Sequence, residues 1–473
     1  MSVEFDKSVK RRDFLKASAV LGLAVPGVGA FLAACSSAAS SVAPRAVASV
    51  APSAVASVAP GAVAPSAVAP SAAASVAQIT ANLFDTMPGE TQKYWLSDLY
   101  PAFQAKYPGD TIVETDGGVE NAQMLRALVA ANNTASPDMA WMESGEMGVY
   151  SAADLLADVD TWLKGKPDIA KDIYPALVAL CTYNGKVQSL PWITNNCACM
   201  INTDAFAAAG VAIPDQDPTK TWTWEEFEAA CKAITEKSGM KGWLANVNGD
   251  GWDAWLFHAW LGAAGGTFIS EAGDPLFNGP EGVETMTYLQ GLVTKGYTAE
   301  LDTGYDLTLW RQKKAAIVIN GPWNHPDLQK TPPSFQYTVV PIPQHKKQAT
   351  NIGGDNLFVF KHADDRQKVS FDYAEYVLST DFQVKFNIQS GNLPVTASAT
   401  AHPDYQAQLA KFPYLRGWVN QVPYGVARSA LPQSSDAQAA FGSKAWTPIM
   451  LKGANIADSL KAAADAVTSL KGS

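Results

Sequence analysis

The segment 190–204, near the middle of the chain, has extended character but changes polarity halfway along. Its first half contains three polar residues in a row, at 194–196, whereas 197–201 is apolar throughout. A strand that is polar at one end and buried at the other is expected where a chain crosses an open cleft between two lobes. We therefore predict one strand over 193–201 that forms the first hinge of a two-lobed, ligand-closing protein. A core strand with one polar end is the alternative.

Length and composition allow this architecture and narrow the choice of partners. A chain of 473 residues is long enough for two domains. The net charge of −10 argues against nucleic acid, or an anionic membrane surface, as the main partner. Several of the 14 tryptophans fall in polar segments, which indicates that some indole rings line a ligand surface rather than a core.

The N-terminus carries two motifs that resemble bacterial export signals. The segment 10–16 has two adjacent arginines and closely resembles the twin-arginine motif. An uncharged apolar segment, interrupted by Gly and Pro, leads to Leu-Ala-Ala-Cys at 32–35, which resembles a lipobox. We predict a signal peptide over 1–34, lipidation of Cys35, and a disordered tether rich in Ala, Ser, Val and Pro over 35–78. The protein is then exported and lipid-anchored on the outer side of the cytoplasmic membrane, at the cell surface or in the periplasm; a retained transmembrane helix is the alternative.

Four further cysteines follow the tether. Two of them lie two apart on the predicted strand and share a face, but they lack the CxxC spacing of common zinc and redox sites. The twin-arginine route exports proteins already folded, so a protein that uses it cannot require disulfides to fold. Whether a disulfide forms stays open for these four residues: Cys181, Cys197, Cys199 and Cys231.

The chain after the tether predicts an α/β fold. Extended runs at 79–84, 111–114 and 137–142 alternate with helical patterns at 90–106, which Pro101 should kink, and at 123–131. This βαβαβ succession favours a parallel sheet, and in open α/β sheets ligands bind beyond the carboxyl ends of the strands. The candidate ligand-binding residues at those ends are Asp85, Thr86, Met142, Glu143 and Ser144.

Short motifs then follow one another in a fixed order over most of the chain. They include Pro-Asp at 137–138, Tyr-Asn-Gly-Lys at 183–186, Ile-Asn-Thr-Asp at 201–204, Thr-Trp-Glu-Glu-Phe at 223–227 and the run 314–323. In this order they resemble the family 1 extracellular solute-binding proteins of ABC importers, the sugar-binding type that is like maltose-binding protein. The resemblance covers 79–470. Thr223 and Glu226 also fit a capping box at a helix start.

The resemblance implies a periplasmic-binding-protein fold of type II character, with the ligand cleft between two lobes and three hinge crossings. The crossings fall near 193–199, 352–357 and 392–398. The first lobe is then 79–195 with 355–395, and the second lobe is 196–354 with 396–473. The resemblance further implies that the protein is a monomer that binds a carbohydrate and delivers it to the transmembrane subunits of an ABC permease. It implies no cofactor and no metal ion.

Two aromatic segments are the candidate sugar contacts. Trp323 follows a buried strand at 315–319 through a turn, and the resemblance implies that its ring stacks on the sugar; a core tryptophan is the alternative. In the loop 249–255, Asp253 either accepts from sugar hydroxyls or caps a helix, and Trp252 or Trp255 could stack. Residues 246–251 resemble the first half of a calcium-binding EF-hand loop. Phe257 occupies the position of the last ligand, which argues against calcium.

The crossings supply the remaining candidates. Two glycines, at 353 and 354, allow a backbone to approach a ligand closely. Arg428 comes from 404–446, where the resemblance is loosest. The candidate ligand-binding residues from the crossings and from 404–446 are Trp192, Asn195, Gly354, Asp355, Asn356 and Arg428.

No catalytic motif of a common enzyme class is present: the sequence lacks GxSxG, HExxH, a Walker A loop and a Rossmann glycine pattern. The five histidines show no ligand spacing. We therefore predict a lipid-anchored receptor for a sugar or oligosaccharide, without enzymatic activity. The alternatives are an anchored carbohydrate hydrolase using Glu143 with Asp253, or a receptor for a polyol, a glycerophosphodiester or another polar solute.

Overall fold

The computed structural model describes residues 78–86, 89–116, 125, 129, 136–299, 307–362 and 364–471. The export motifs, Cys35 and nearly all of the predicted tether lie outside these residues, as does most of the helix predicted at 123–131. Within the described residues, no helix combines the length and apolar character that crossing a membrane requires.

The described residues form thirteen strands, most of them short. In chain order they are β1 (Ile79–Asp85), β2 (Asp110–Asp116), β3 (Met139–Glu143), β4 (Thr182–Tyr183), β5 (Lys186–Val187), β6 (Leu190–Pro191), β7 (Ala198–Asn202), β8 (Lys241–Leu244), β9 (Ala315–Asn320), β10 (Tyr337–Val340), β11 (Thr350–Asn351), β12 (Asp355–Val359) and β13 (Gly425–Val426).

The α-helices of the same part of the chain surround these strands. They are α1 (Gly89–Tyr94), α2 (Tyr100–Lys106), α3 (Met147–Ala152), α4 (Val159–Lys164), α5 (Pro167–Asp172), α6 (Pro175–Leu180), α7 (Thr203–Ala209), α8 (Trp224–Lys237), α9 (Gly251–Ala263), α10 (Pro280–Thr294), α11 (Thr308–Arg311), α12 (His325–Lys330), α13 (Asp364–Val377), α14 (Thr380–Ser390), α15 (Ala397–Ala401), α16 (Pro403–Lys411), α17 (Arg416–Val419), α18 (Ser434–Phe441), α19 (Thr447–Lys452) and α20 (Ile456–Leu470). Two π-helical turns, Trp95–Leu99 and Gly442–Trp446, and four 3₁₀ turns, Ser144–Glu146, Pro322–Asn324, Pro413–Leu415 and Val422–Tyr424, complete them.

Two main sheets organise the fold. The first has the strand order β2-β1-β3-β12-β6, in which β1 pairs in parallel with both neighbours, as the βαβαβ pattern predicts. The second has the order β10-β7-β9-β8. Its central strand β9 is buried along its whole length, which agrees with the apolar run at 315–319.

The first predicted helix is interrupted by a π-helical turn just before Pro101, where the sequence predicts a kink. Pro101 has no N–H to donate, so the α-helical hydrogen-bond ladder cannot run through it. The chain adopts a π-helical turn over Trp95–Leu99, between α1 and α2, and thereby accommodates the missing bond. Trp95 on this turn is fully buried.

The single strand predicted over 193–201 is wrong. The chain leaves the first sheet at β6, runs irregularly through 192–197, and joins the second sheet at β7. Residues 194 and 195 make isolated bridges to two other segments, Thr194 with Leu393 and Asn195 with Gly353. The three predicted crossings therefore lie side by side and are hydrogen-bonded to one another.

The glycine at 354 allows this close contact between crossings. Gly354 has φ +126°, a conformation that L side chains rarely adopt. A Cβ there would also stand 2.3 Å from the carbonyl oxygen of Ile193. Glycine is thus required for the second crossing to pack on the first.

The capping box predicted at the start of α8 is confirmed. The Thr223 hydroxyl accepts from the backbone N–H of Glu226 at 3.3 Å, and the Glu226 carboxylate accepts from the N–H of Thr223 at 2.8 Å. This reciprocal pair satisfies two backbone donors at a helix end.

Candidate functional site

Three carboxylates converge at one edge of the first sheet. Asp85 ends β1, Glu143 ends β3, and Asp355 begins β12. Because β3 and β12 are antiparallel with Asp355 opposite Glu143, the side chains of these two residues are direct cross-strand neighbours. The carboxyl ends of β1 and β3 and the start of β12 thus bring three acceptors to the same end of the sheet.

Burial raises the pKa of Asp355 to about 7. The negative charges of Glu143 and Asp85 contribute to this rise, while the guanidinium of Arg428 acts in the opposite direction. Near neutral pH the Asp355 carboxyl is therefore present in both its protonated and its ionised form.

Arg428 balances this acidic edge. Its side chain is only 8% exposed, and Nη1 pairs with the carboxylate of Glu143, which is 55% exposed. Nη2 donates to the hydroxyl of Ser144 at 3.2 Å. The guanidinium carbon lies 5.8 Å from the ring centroid of Trp255, within reach of a cation–π interaction. Arg428 thus connects the loop after β3 with helix α9.

Three tryptophans form a cluster beside these polar groups. Trp252 and Trp255 are one turn apart on α9, with ring centroids 5.0 Å apart, and both contact Trp323, whose centroid lies 5.7 Å and 6.0 Å away. Trp255 is buried and donates through its indole N–H to the carbonyl of Ile352 at 3.3 Å, whereas Trp252 and Trp323 are half-buried.

The placement of Trp323 depends on the residue two positions before it. The turn after β9 folds the indole ring back over Gly321, where a Cβ would stand 1.9 Å from a ring carbon. The ring therefore lies against the turn and against α9 instead of projecting freely, and its remaining exposed surface is available to a ligand.

Asp253 takes a structural role in the loop before α9. Its carboxylate accepts the backbone N–H of Gly249 at 2.6 Å and that of Asn248 at 3.0 Å, and it is fully buried. Asp250, rather than Asp253, caps the helix by accepting from the N–H of Trp252. Asp253 therefore stabilises the loop before α9 instead of capping the helix.

Three other candidates are directed into the interior. The ring of Trp192 stacks on that of Trp141, with centroids 4.1 Å apart and an angle of 10°, and it is 1% exposed. Met142 packs in a buried cluster with Phe84 and Tyr150. Asn356 is also buried and donates to the hydroxyl of Ser189. All three residues are at most 3% exposed.

The remaining candidates position the backbone around the site. The hydroxyl of Thr86 donates to the carbonyl of Trp141 at 2.9 Å. Asn195 exchanges two backbone hydrogen bonds with Gly353, at 3.0 and 3.1 Å. The carbonyl of Gly354 accepts from the N–H of Ser144 at 3.2 Å and so fixes the loop that holds Glu143.

Sequence reasoning missed the contacts around Arg428. Ser435, at the start of α18, donates to the carboxylate of Glu146 at 3.2 Å, beside the Arg428–Glu143 pair. No local motif marks either residue, because almost three hundred positions separate the partners. Among the described residues, no group of His, Cys, Asp and Glu side chains has an arrangement that would hold a metal ion.

The fold and sequence match proteins that bind solutes outside the cell. The family model of bacterial extracellular solute-binding proteins matches residues 98–413. The sn-glycerol-3-phosphate-binding periplasmic protein UgpB of Rhizobium meliloti is 27% identical over 271 residues, which cover 54% of this chain and 60% of that protein. The chain thus spans about three fifths of the length of this curated relative.

Solved structures extend the match to almost the whole described part. A cyclic alpha-maltosyl-1,6-maltose binding protein from Arthrobacter globiformis has a TM-score of 0.71 and 25% identity, and the match covers 84% of this chain and all of that one. UgpB from Mycobacterium tuberculosis, solved in complex with glycerophosphocholine, has a TM-score of 0.70 and 18% identity, with 84% and 99% covered. These neighbours confirm the predicted two-lobed α/β periplasmic-binding-protein fold. Because the family model matches well over half of its length, the chain belongs to the family of bacterial extracellular solute-binding proteins.

Proposed function

We propose that the chain is the solute receptor of an ABC importer and that its ligand is a neutral sugar or oligosaccharide. The observation that carries the choice of ligand is the half-buried pair of rings, Trp252 and Trp323, which both contact Trp255. Trp255 in turn lies against Arg428, which pairs with the carboxylate of Glu143. Indole faces match the C–H faces of sugar rings, and carboxylates accept from pairs of sugar hydroxyls. The relative from Arthrobacter globiformis is named for binding a cyclic maltose derivative.

Charge separates this ligand class from anionic solutes. Three carboxylates face one guanidinium at the site, and that guanidinium is already paired with Glu143. A phosphate monoester would bring two further negative charges next to this excess, whereas a neutral sugar brings none.

A glycerophosphodiester is the second candidate, and one observation favours it. The Nε of Arg428 is buried and donates no hydrogen bond to any described residue, so its donor capacity is unused. One structural neighbour was solved with glycerophosphocholine, in which a single phosphate charge is offset by a quaternary ammonium.

Calorimetry with a defined panel tests the ligand class. The panel contains maltose, maltotriose, glycerol 3-phosphate and glycerophosphocholine. Trp323→Ala should weaken the tightest sugar by about tenfold to hundredfold, because it removes a stacking contact and the apolar area buried under it. Trp162→Ala is the matched control, since that half-buried ring stacks on Phe371, away from the cleft residues. Unchanged sugar affinity in Trp323→Ala would contradict the sugar proposal.

The absence of enzymatic activity belongs to the same proposal. The residues considered for a hydrolase, Glu143 and Asp253, are engaged respectively by Arg428 and by two backbone N–H groups. Neither is then poised as the protonated acid that glycoside cleavage needs. Incubating the protein with maltotriose and finding glucose or maltose would contradict this view.

We also propose the two lobes as 79–195 with 355–395 and 196–354 with 396–473. All strands of the first sheet fall in the first set, and all strands of the second sheet fall in the second. The monomer should compact when ligand binds, which small-angle scattering with and without the tightest sugar would detect. An unchanged radius of gyration at saturation would contradict hinge closure.

The proposed attachment to the cell rests on sequence. A twin-arginine signal peptide over 1–34 and a lipid on Cys35 would hold the receptor near the permease at the outer side of the cytoplasmic membrane. Cys35→Ser should then leave an uncleaved, unlipidated chain, detected as a mass increase relative to the mature protein. Normal processing of that variant would refute the lipobox interpretation.

A further inference from the structure

The loop between β13 and α18 carries Arg428 into the site and packs on two sides. On one side Ala430 packs against the buried cluster of Phe84 and Tyr150 below the first sheet. On the other side Leu431 packs against the cluster that contains Trp255. We call residues 427–433 the arginine loop. Its position fixes how far the Arg428 guanidinium reaches toward Glu143 and Ser144.

The arginine loop packs directly on helix α3 at Gly148, because this residue has no side chain. We call this contact the seat of the loop. A Cβ at Gly148 would stand 2.1 Å from the carbonyl oxygen of Ala430, 2.6 Å from the carbonyl carbon of Leu431 and 2.7 Å from the nitrogen of Pro432. All three atoms belong to the backbone, so no side-chain rotation could relieve the overlap. Any side chain at 148 would therefore lift the loop.

The conformation of Gly148 does not explain why glycine stands there. The residue lies within α3 and is absent from the glycines with positive φ. Inside a helix, glycine costs about 1 kcal/mol relative to alanine. Close approach of the arginine loop is the physical reason that remains. At Gly145, one turn earlier, a Cβ would meet Arg428 and Ser435 only at ordinary contact distances of 3.7 Å.

We propose that Gly148 is a positioning residue for solute binding. It lets residues 430–432 seat on α3, and the seated loop holds the Arg428 guanidinium between Glu143 and Trp255. This inference rests on the proposed function of the cleft. Gly148 itself lies under the loop and acts on the solute only through Arg428. The hydrogen bond from Ser435 to Glu146 holds the end of the loop to the same helical segment.

Limited proteolysis tests the seat without any ligand. Trypsin cleaves after arginine, and burial of the Arg428 side chain protects the bond to Ser429 in the native chain. Gly148→Ala should raise the cleavage rate at this bond by about tenfold or more, because it raises the population of the lifted loop. Gly291→Ala is the matched control: it makes the same change in helix α10, where a Cβ meets nothing within 4 Å.

A milder variant covers the case in which Gly148→Ala does not fold. Ser435→Ala removes one anchoring hydrogen bond and leaves the packing of the loop intact. It should raise cleavage after Arg428 by about threefold to fivefold, as the loss of one hydrogen bond predicts. Mass spectrometry of the fragments identifies the bond. Native cleavage rates in both variants would overturn the inference.

Calorimetry with maltotriose then tests whether the seat acts through Arg428. Gly148→Ala should weaken maltotriose in the native background but have no further effect in an Arg428→Gln chain. Additive losses would mean that Gly148 acts through general stability, and they would overturn the positioning role. If maltotriose binds to none of the proteins, the proposed sugar ligand fails, and the proteolysis result alone decides the seat.

Discussion

Replacing Asp355 by asparagine should make the protein more stable, and the gain should grow with pH. The carboxyl has a pKa of about 7 in the folded state against an ordinary value of 3.8. A group whose folded pKa is raised contributes stability in acid, and this contribution is lost as pH rises from the unfolded pKa to the folded pKa. Asparagine keeps the shape of the side chain and removes the titration.

The size of the effect follows from the same two values. Between pH 5 and pH 8, a pKa shift from 3.8 to about 7 changes the free energy of unfolding by at most about 2.6 kcal/mol. Because Asp355 keeps some contact with solvent, which screens these interactions, we expect about 1–2 kcal/mol. Urea unfolding of Asp355→Asn and the native chain at pH 5, 6.5 and 8 measures the difference.

Asp158 provides a control of opposite sign. Its carboxylate caps α4 by accepting from the N–H of Thr161, and this hydrogen bond lowers its pKa. Asp158→Ala should therefore destabilise the protein by about 1 kcal/mol at both pH 5 and pH 8, and this loss should shrink only below the ordinary carboxyl pKa of 3.8. A stability gain in Asp355→Asn that is the same at pH 5 and pH 8, or that shrinks as pH rises, would refute the reasoning.

Three further outcomes follow from buried contacts. Asp138→Ala should lower the free energy of unfolding by about 3–5 kcal/mol, because the buried carboxylate pairs with Arg366 at 2.6 Å. The control Asp327→Ala, at an exposed ion pair, should change the free energy of unfolding by less than about 1 kcal/mol in the same urea assay. Gly321→Ala should weaken sugar binding nearly as much as Trp323→Ala, because its Cβ displaces the indole ring; native affinity in calorimetry would show that the ring position is unimportant. The four cysteines after the tether are buried and free, and burial raises the pKa of each thiol. A thiol reagent should therefore label no cysteine in the folded Cys35→Ser chain and four cysteines after unfolding without reductant. Labelling of fewer than four would indicate a disulfide.

Local pattern predicted the parts of the fold that local physics decides. The strands at 79–85 and 139–143, the buried strand β9 and the capping box at Thr223 depend on hydrophobic runs and on neighbours within four residues. The single strand predicted over 193–201 is wrong because residues 192–197 run irregularly between the first sheet and the second. Sequence alone does not show where partners change.

In the candidate site, too, the sequence predicts poorly those side-chain positions that depend on contacts between distant parts of the chain. Trp192 was expected at the ligand but stacks on Trp141, which reaches it from a strand some fifty positions earlier. Arg428 was the weakest candidate by motif and became the best connected, because Glu143 and Ser144 meet it only after both sheets have formed. A carboxylate such as Asp253 has the same appearance in sequence whether it binds hydroxyls or backbone N–H groups.

The electrostatics of the site connect these findings to the proposed ligand. Asp355 is opposite Glu143 across two strands. Burial first, and the negative charge of Glu143 second, raise the pKa of Asp355 to about 7, so this carboxyl is near its midpoint of protonation at neutral pH. A carboxyl in both forms can donate a hydrogen bond as well as accept one, and a sugar hydroxyl does the same. A phosphate oxygen only accepts, and it would have to compete with Glu143 for Arg428. The seat at Gly148 then matters because it holds the single guanidinium where it neutralises Glu143, and so leaves Asp355, Trp252 and Trp323 to face an uncharged ring.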